Sequence, residues 1–446
     1  MIIRTAPWRN WGRTESVRPV RMERPATVGA VQRAVLAAAR AGLRVKAVGA
    51  GHSFTGIALA PGVQLDLHDL ALPTGVTGGE ARITVDVETS RVRVAAGLSL
   101  HRLARSLAAH GLALTNLGDI DTQTVAGAIS TGTHGTGGRF RGIASQVVAL
   151  TLVVGDGTLL RVSETENAQL LPAARLGLGA LGIITEVTLQ CVPSFVLHAV
   201  QKTENLDDVL ETYLQRSASG DHFEFFWFPH TPFALTKTNT RRAEAAPGAG
   251  ASRLPRWIDD ELLANGLYRA VCDIGTAVPA LVPPLARLSA RATGNREFTD
   301  VSARVFATSR TVRFRELEYA LPRDRVPDAV RAVRALIDAR GWRISFPIEV
   351  RCAAADDLWL STASGRDTGY VSVHRYIRED PEDYFRAVEQ IMLEHGGRPH
   401  WGKLHYQGVD ALRDRYPHFD DFLGVRDRLD PERRFTNSYL ERVLGP

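Results

Sequence analysis

Residues 117–138 read LGDIDTQTVAGAISTGTHGTGG. From Ala126 to Gly138 nearly every side chain is small or hydroxylic. Such a stretch builds no core by itself, yet alternating glycine and Ser/Thr over this length is unusual for a solvated linker. Glycine lets backbone approach a partner closely, and bare N–H groups suit anionic oxygens. The stretch therefore predicts a surface lying flat against a large planar ligand that carries phosphates. A plain glycine loop is the alternative. Upstream, Val48-Gly49-Ala50-Gly51-His52-Ser53 follows a strand pattern directly. Two glycines one residue apart allow a tight turn around pyrophosphate. This is not a full GxGxxG, because position 54 is Phe, and no P-loop lysine follows. Taken alone, it reads equally well as a turn between strands.

The surrounding chain alternates helix and strand signals. Residues 26–43 place Val28, Val31, Val35 and Leu36 on one helical face, with Thr27 able to cap and Gly42 to stop. VQLDL at 63–67, ITVDV at 83–87 and RVRVAAG at 91–97 alternate like half-buried strands. Ser99 caps a helix that stops at Gly111, and Asp156-Gly157 joins two strands as a hairpin. After about residue 195 the pattern changes. FEFFWF, RFRELEYAL, SFPIEVRC and GYVSVHRYI read as strands of an antiparallel sheet, with helices at 325–341 and 382–395. Residues 241–256 read as an Ala/Gly/Pro-rich connection, and 257–300 as mostly helical. Thr276–Leu288 is the most apolar long run. Pro279, Pro283 and Pro284 prevent it from being one regular helix.

With 446 residues, 44% hydrophobic and 23% charged, the composition is ordinary for a globular protein and excludes disordered, collagen-like and coiled-coil classes. The net charge of +5 is scattered, with no run of five like charges, which argues against a nucleic-acid partner. Cys191, Cys272 and Cys352 are too few and too far apart for a disulfide scaffold. The N-terminus MIIRTAPWRNWGRTESVRP shows no apolar signal core, and no apolar run reaches the roughly 18 residues of a membrane span. A cytoplasmic protein with no integral membrane segment is expected. Of 54 Lys and Arg, only residues 46, 202, 237 and 403 are lysine, so each lysine invites a reason.

GAGHSF, GDIDTQTVAGAISTGTHGTG, LGALGIITEVTLQ and HWGK, in that order, resemble the vanillyl-alcohol-oxidase-type flavoproteins. The closest likeness is to the aldonolactone oxidoreductases: gulono-γ-lactone dehydrogenases and oxidases, and arabinono-lactone oxidases. FEFFWFP, FPIEVRC, GRDTGYVSVHRY and RPHWGKLHYQ extend the likeness through the second half. The resemblance implies a two-domain α+β flavoprotein. Residues 1–195 would form an FAD-binding domain of the PCMH type, 196–400 an antiparallel-sheet cap for substrate, and 401–446 a segment closing over the flavin.

It further implies that FAD is held by Val48, Gly49, Ala50, Gly51, His52 and Ser53, by Gly118, Asp121, Thr124, Gly127 and Ala128, by Thr131, Gly132, Thr133, His134 and Gly135, and by Gly182 and Ile183. His52 occupies the place where this family can attach the flavin 8α-methyl covalently; an unattached pocket histidine is the other reading. Thr133 would gate oxygen at the flavin edge.

Glu349 and Arg351 stand at i and i+2 on one strand, so they share a face, as His374 and Tyr376 do on the next. In isolation such pairs are usually solvated. The resemblance puts Arg351 on a substrate oxygen, Glu349 behind it, His374 as proton acceptor and Lys403 beside the flavin, where a compact ammonium would stabilise its reduced form. His395, His400 and His405 recur every five residues, which is not a helical ligand spacing, and no metal is assigned.

The implied reaction is FAD-dependent oxidation of a secondary alcohol of an aldono-γ-lactone, such as gulono-γ-lactone, to an ascorbate-type product. Oxygen, a cytochrome or a quinone would take the electrons. Alditols, or nucleoside-like or glycosidic alcohols, are alternative substrates. A flavin-binding protein without turnover is the remaining alternative.

Overall fold

The computed structural model describes residues 7–73, 82–242, 266–292, 294–307 and 312–446. Most of the connection expected at 241–256, and the start of the helical stretch at 257–300, lie outside the described residues.

The first half is built mainly on two sheets, with two further two-stranded ladders beside them. Strands β1 (Arg21–Glu23), β2 (Val45–Val48) and β3 (Val63–Asp66) form a parallel sheet in the order β1-β3-β2. Helix α1 (Val28–Arg40) packs Val31, Ala34, Val35 and Ala38 inward, and the Thr27 hydroxyl caps it by accepting from the Ala30 N–H. The half-buried pattern read for 63–67 is corrected here. Val63, Gln64 and Leu65 are all buried, because β3 is the central strand of a parallel sheet. A five-stranded antiparallel sheet follows, from β4 (Ile83–Asp86), β5 (Arg91–Ala95), β6 (Val147–Val153), β7 (Leu159–Ser163) and β8 (Ile183–Gln190). Its order is β7-β6-β8-β5-β4. Helix α2 (Leu100–Ala109) begins at Ser99, which accepts from the Arg102 N–H.

The glycine-rich stretch is not one flat loop. Its first half, Val125–Thr131, folds as helix α3, capped by Thr124 and ended by Gly132 in the left-handed region. Val125, Ala128 and Ile129 repeat at helical spacing and are fully buried. Ala128 therefore faces the core and not a cofactor. The open loop begins only after Gly132.

The second half is built on an eight-stranded antiparallel sheet. Its strands are β9 (Val196–Asn205), β10 (His222–Trp227), β11 (Phe233–Arg242), β12 (Arg296–Val301), β13 (Phe314–Pro322), β14 (Ile348–Ala353), β15 (Thr368–Tyr376) and β16 (Arg398–Pro399). Their order is β12-β9-β11-β10-β14-β15-β13-β16. Arg296–Val301 is thus an edge strand, at the end of a stretch read as helical. Helices α4 (Leu206–Ser219), α7 (Val326–Arg340) and α8 (Glu382–Glu394) cover one face, sealing Phe223, Phe225, Leu317, Tyr319, Ile348, Val350, Val371 and Val373. Between β11 and β12 lie α5 (Gly266–Ala277) and α6 (Val282–Ala292). Pro279 opens the short turn between them, while Pro283 and Pro284 fall in the first turn of α6, where a missing N–H costs little.

Period 2 dictates what the other sheet face carries. On β10 it presents Glu224, on β13 Glu316 and Glu318, on β14 Glu349 and Arg351, and on β15 Ser372 and His374. Glu349 stands opposite Ser372 and Ser372 opposite Glu318, so one cross-strand row is Glu349–Ser372–Glu318. The C-terminal segment, including α9 (Phe419–Leu429) and α10 (Ser438–Leu444), buries Trp401, Phe422, Phe435 and Leu440 in the same core as α1, α2 and α3. Among the described residues no helix is long and apolar enough to cross a membrane.

Candidate active site

A cavity of about 380 Å³ runs along the first half. Of the residues expected to hold the cofactor, Val48, Gly49, Ala50, Gly51, His52, Ser53, Thr124, Gly127, Thr131, Gly182 and Ile183 line it. A side chain at Gly49 would strike the Thr124 hydroxyl, so glycine is what lets the turn touch the start of α3. Gly51 sits at φ +72, a conformation few other residues adopt. Asp66, His68, Gly97, Ser99 and Leu178 also line the cavity, and none was among the residues expected to hold the cofactor. Lys46, at its wall, donates to the Gly179 and Phe435 carbonyls at 3.0 Å each, and burial lowers its pKa to about 7. This lysine ties the C-terminal segment to the cavity.

A chamber of about 60 Å³ shares His52, Ser53, Gln123 and Thr131 with the large cavity. It lies between the first half and the charged face of the large sheet. Thr133, His134, Arg351 and Lys403 line it, with Trp11, Phe54 and Phe314 as an aromatic wall. Asp119, Glu316, Glu318 and His400 line it too, and were not among the expected site residues. Their signal was present: Glu316 and Glu318 alternate with apolar residues on a strand that proves internal to its sheet.

Five expected cofactor residues line neither space. Asp121 is at the surface, its carboxylate 2.8 Å from His101 Nδ1. Gly118 packs under Thr133 and His134, Gly132 caps α3, and Ala128 is in the core. Gly135 borders a different pocket, of about 90 Å³, on the far side of Arg351.

The chamber's charges are paired. Arg351 donates to Glu349, from Nε to Glu224 at 3.0 Å, and reaches Asp119 from Nη2 at 3.3 Å. Burial alone would discourage its charge, but Glu349, Asp119 and Glu224 hold it protonated well above the ordinary range. Lys403 Nζ donates to Glu316 Oε2 at 2.5 Å and lies 5.4 Å from the Phe54 ring centre. Burial opposes this charge as well; Glu316 and Glu318 outweigh it and raise the pKa. Glu316 is correspondingly held at about 2, its desolvation more than offset by Lys403 and His374. Ser372 donates to Glu318 at 2.5 Å, and His134 Nε2 lies 2.9 Å from its other oxygen. His134 Nδ1 faces the Gly135 carbonyl at 2.8 Å, so both ring nitrogens meet oxygen acceptors. His400 accepts the Gly402 N–H at Nδ1 (3.1 Å), and burial lowers its pKa to about 4. It is a neutral ring with its proton on Nε2. His134, Glu318 and His400 could offer ligand atoms within 4.8 Å of one another. The neighbouring ammonium of Lys403 disfavours a cation there, and hydrogen bonds already engage two of the three.

His374 does not line the chamber. Its Nδ1 donates to the Pro347 carbonyl at 3.0 Å, and Nε2 stands 3.6 Å from Glu316. It backs Glu316 and is out of reach of a substrate hydroxyl.

His52 stacks on Trp11 with ring centres 5.7 Å apart, and its Nε2 is 2.8 Å from the Thr122 hydroxyl. Its Nδ1 is buried without a hydrogen-bond partner. Burial and the charge of Lys403 both lower its pKa, against the pull of Asp119.

Residues 187–443 match the family model for D-arabinono-1,4-lactone oxidase, and 19–163 match that for an FAD binding domain. The chain belongs to the D-arabinono-1,4-lactone oxidase family. Within its wider kin, an L-gulono-1,4-lactone dehydrogenase of Mycobacterium tuberculosis is 44% identical, covering 98% of this chain and 99% of the relative. An L-gulonolactone oxidase of Bos taurus is 34% identical, and an alditol oxidase of a Streptomyces species 32%, each covering 98% of both chains. Cholesterol oxidase from Brevibacterium sterolicum shares the fold, with a TM-score of 0.80 at 20% identity over 99% of this chain and 96% of that one. As a member of this family the protein is an FAD-dependent oxidoreductase acting on CH–OH donors. Its residues fit the cofactor. A long cavity cradled by glycine turns ends at a histidine whose buried Nδ1 has no partner.

Buried neutral histidines make a pH prediction. His222 and His400 are lowered to about 4 and His405 to about 3, in each case by burial first. Between about pH 6.5 and 4 the unfolded chain binds protons that the folded one refuses, so stability is complete above 6.5 and falls with acid. At full protonation His222 and His400 each weigh at most about 3 kcal/mol, and His405 about 5 kcal/mol. Melting temperature should drop steeply from pH 6.5 to 4, and His405→Gln should flatten that slope. A pH-independent melt over this range would contradict the burial.

Proposed function

We propose that the enzyme oxidises a secondary hydroxyl of an aldono-γ-lactone, with gulono-γ-lactone the preferred type. One observation carries this reading: Arg351 and Lys403, the two cations of the chamber, converge beside His52 and Thr133. A lactone offers carbonyl and ring oxygens that accept from two fixed cations, and gains negative charge as its hydroxyl is deprotonated. An alditol offers hydroxyl oxygens but no carbonyl, which makes it the weaker candidate.

When bound, FAD supplies a two-electron acceptor for the substrate's hydride. The chain's own residues do the rest. Arg351, aimed by Glu349 and Glu224, holds the substrate oxygen and acidifies the hydroxyl. Lys403, held by Glu316, adds a second positive charge. Glu316 replaces His374 as the candidate proton acceptor, because its carboxylate lines the chamber. With a pKa near 2 it is a weak base, so the cations carry most of the activation. His374 positions Glu316. The aromatic wall excludes water. Electrons then pass to oxygen or to a separate acceptor such as a cytochrome or quinone. Three free, buried cysteines suit a reducing cytoplasm.

Anaerobic mixing with a panel of lactones and alditols tests the substrate. Gulono-γ-lactone should bleach the flavin fastest. Faster bleaching by xylitol or sorbitol would favour the alditol reading, and no bleaching by either class would sink both.

His52 Nδ1 is the proposed attachment atom for the flavin. In the tautomer whose Nε2–H donates to Thr122, Nδ1 carries a bare lone pair, and burial, by lowering the pKa, favours that neutral ring. Acid precipitation should leave yellow colour in the pellet, and His52→Ala should move it to the supernatant. Colour released from the wild type would make His52 a pocket residue only.

A further inference from the structure

One cross-strand row runs from the outer strands of the large sheet to Arg351. Gln201 of β9 stands opposite Lys237 of β11, and Lys237 stands opposite Glu224 of β10. The next pairing, Phe225 with Val350, brings Glu224 beside Arg351 of β14. Toward the chamber the row therefore reads ammonium, carboxylate, guanidinium. Glu224 gives one oxygen to each cation. Its Oε1 lies 3.3 Å from Lys237 Nζ, and its Oε2 accepts from Arg351 Nε at 3.0 Å. The ammonium also lies 4.7 Å from the Phe226 ring centre, so it is held from a second side.

Lys237 does not border the chamber, and neither does Glu224. Both line the pocket of about 90 Å³ on the far side of Arg351, while Arg351 and Asp119 border both spaces. Lys237 thus acts on substrate only through what it touches. The last torsion of a glutamate is soft, so a carboxylate drawn by one cation can turn with it. Drawn from two sides by different oxygens, it keeps one plane. A guanidinium donates in its own plane, so the plane of Glu224 sets that of Arg351.

We propose that Lys237 is a positioning residue for the reaction: it fixes Glu224, and Glu224 fixes the plane in which the Arg351 guanidinium meets the substrate. This role rests on Arg351 holding a substrate oxygen, as read above. A small rotation of the fork weakens its bonds to the charge that develops on the substrate more than it weakens binding of the neutral molecule. Loss of Lys237 therefore falls on kcat and not on KM.

The test is anaerobic flavin reduction and steady-state turnover of the holoenzyme, with whichever lactone or alditol bleaches the flavin fastest. Lys237→Met should lower kcat about thirtyfold and move KM less than about threefold. Flavin content and melting temperature should stay near wild type, since Glu224 keeps Arg351. Lys237→Arg should recover most of the rate. Lys202→Met, one residue along from Gln201 and exposed, should turn over as the wild type does. Ethylammonium should restore part of kcat in Lys237→Ala, entering by the 90 Å³ pocket. In an Arg351→Lys background, where the fork is already lost, Lys237→Met should cost no more than about twofold. An undiminished loss in that background would overturn the proposal, because Lys237 would then act by a path that bypasses the guanidinium. Lys237→Met at the wild-type rate, beside a slowed Arg351→Lys, would overturn it and leave the role of Arg351 intact. Arg351→Lys at the wild-type rate would overturn both.

Discussion

Lys403→Met is expected to slow anaerobic flavin reduction by roughly a thousandfold, the scale of removing one preorganised charge from a dry site. The ammonium is the compact cation of the chamber, fixed by a 2.5 Å bond to Glu316. Methionine keeps the stem packed over Phe54, so loss of charge is isolated from loss of volume. A second signature separates charge from position. Lys403 is the leading cause of the low Glu316 pKa. Without it, only His374 is left to offset the desolvation, and the Glu316 pKa rises from about 2 toward the working range. Reduction by the variant should therefore lose rate on acidification at a pH where the wild type is flat. Lys403→Arg should recover the flat profile but only part of the rate, since a guanidinium cannot occupy the same point. Reduction within tenfold of wild type in Lys403→Met would remove this residue from the chemistry.

Much of this site was legible in the chain because its parts are local. The turn at 48–53 and the capped stretch from Thr124 need only nearest-neighbour rules, and both line the cavity. Glu349 and Arg351 were legible as a pair because period 2 puts them on one face. Glu224, Glu316 and Glu318 obey the same period, but a carboxylate on a strand is ordinarily solvated. Only the sheet order makes their face an interior one, and that order joins β10 to β14 and β15 to β13 across long sequence separations. His374 failed for a related reason. It shares the face with Ser372, but a row further along the strand, and there Glu316 stands between it and the chamber. Ala128 failed because a run of small residues has two uses, and Ile129 and Val125 turned this one into a core helix. The tail was legible as compact, yet nothing local shows that Phe422 and Phe435 pack in the first half's core.

Arg351→Leu is expected to abolish measurable turnover, with a loss of at least about a thousandfold, and also to destabilise the fold by about 3–5 kcal/mol. Both effects have one origin. The guanidinium bridges Glu349, Glu224 and Asp119, and Glu349 and Glu224 are 3% and 9% exposed. Leucine fills space but removes the cation these carboxylates share, although Glu224 keeps Lys237 at 3.3 Å. Their protonation is then the cheaper state, so the variant should regain stability as pH falls toward 5, where the wild type loses it. That inversion is the discriminating result, because a packing defect alone would leave the acid slope unchanged. Arg351→Lys keeps the charge but not the fork. One ammonium cannot reach Glu224 from one side and Glu349 and Asp119 from the other, so melting should stay near wild type while turnover falls about a hundredfold. Guanidinium added at sub-denaturing concentration to Arg351→Ala should restore part of the rate, since it matches both the charge and the plane of the missing group. If Arg351→Lys turns over like wild type, the three carboxylates hold a charge and not an orientation. Glu349 and Glu224 would then have no aiming role.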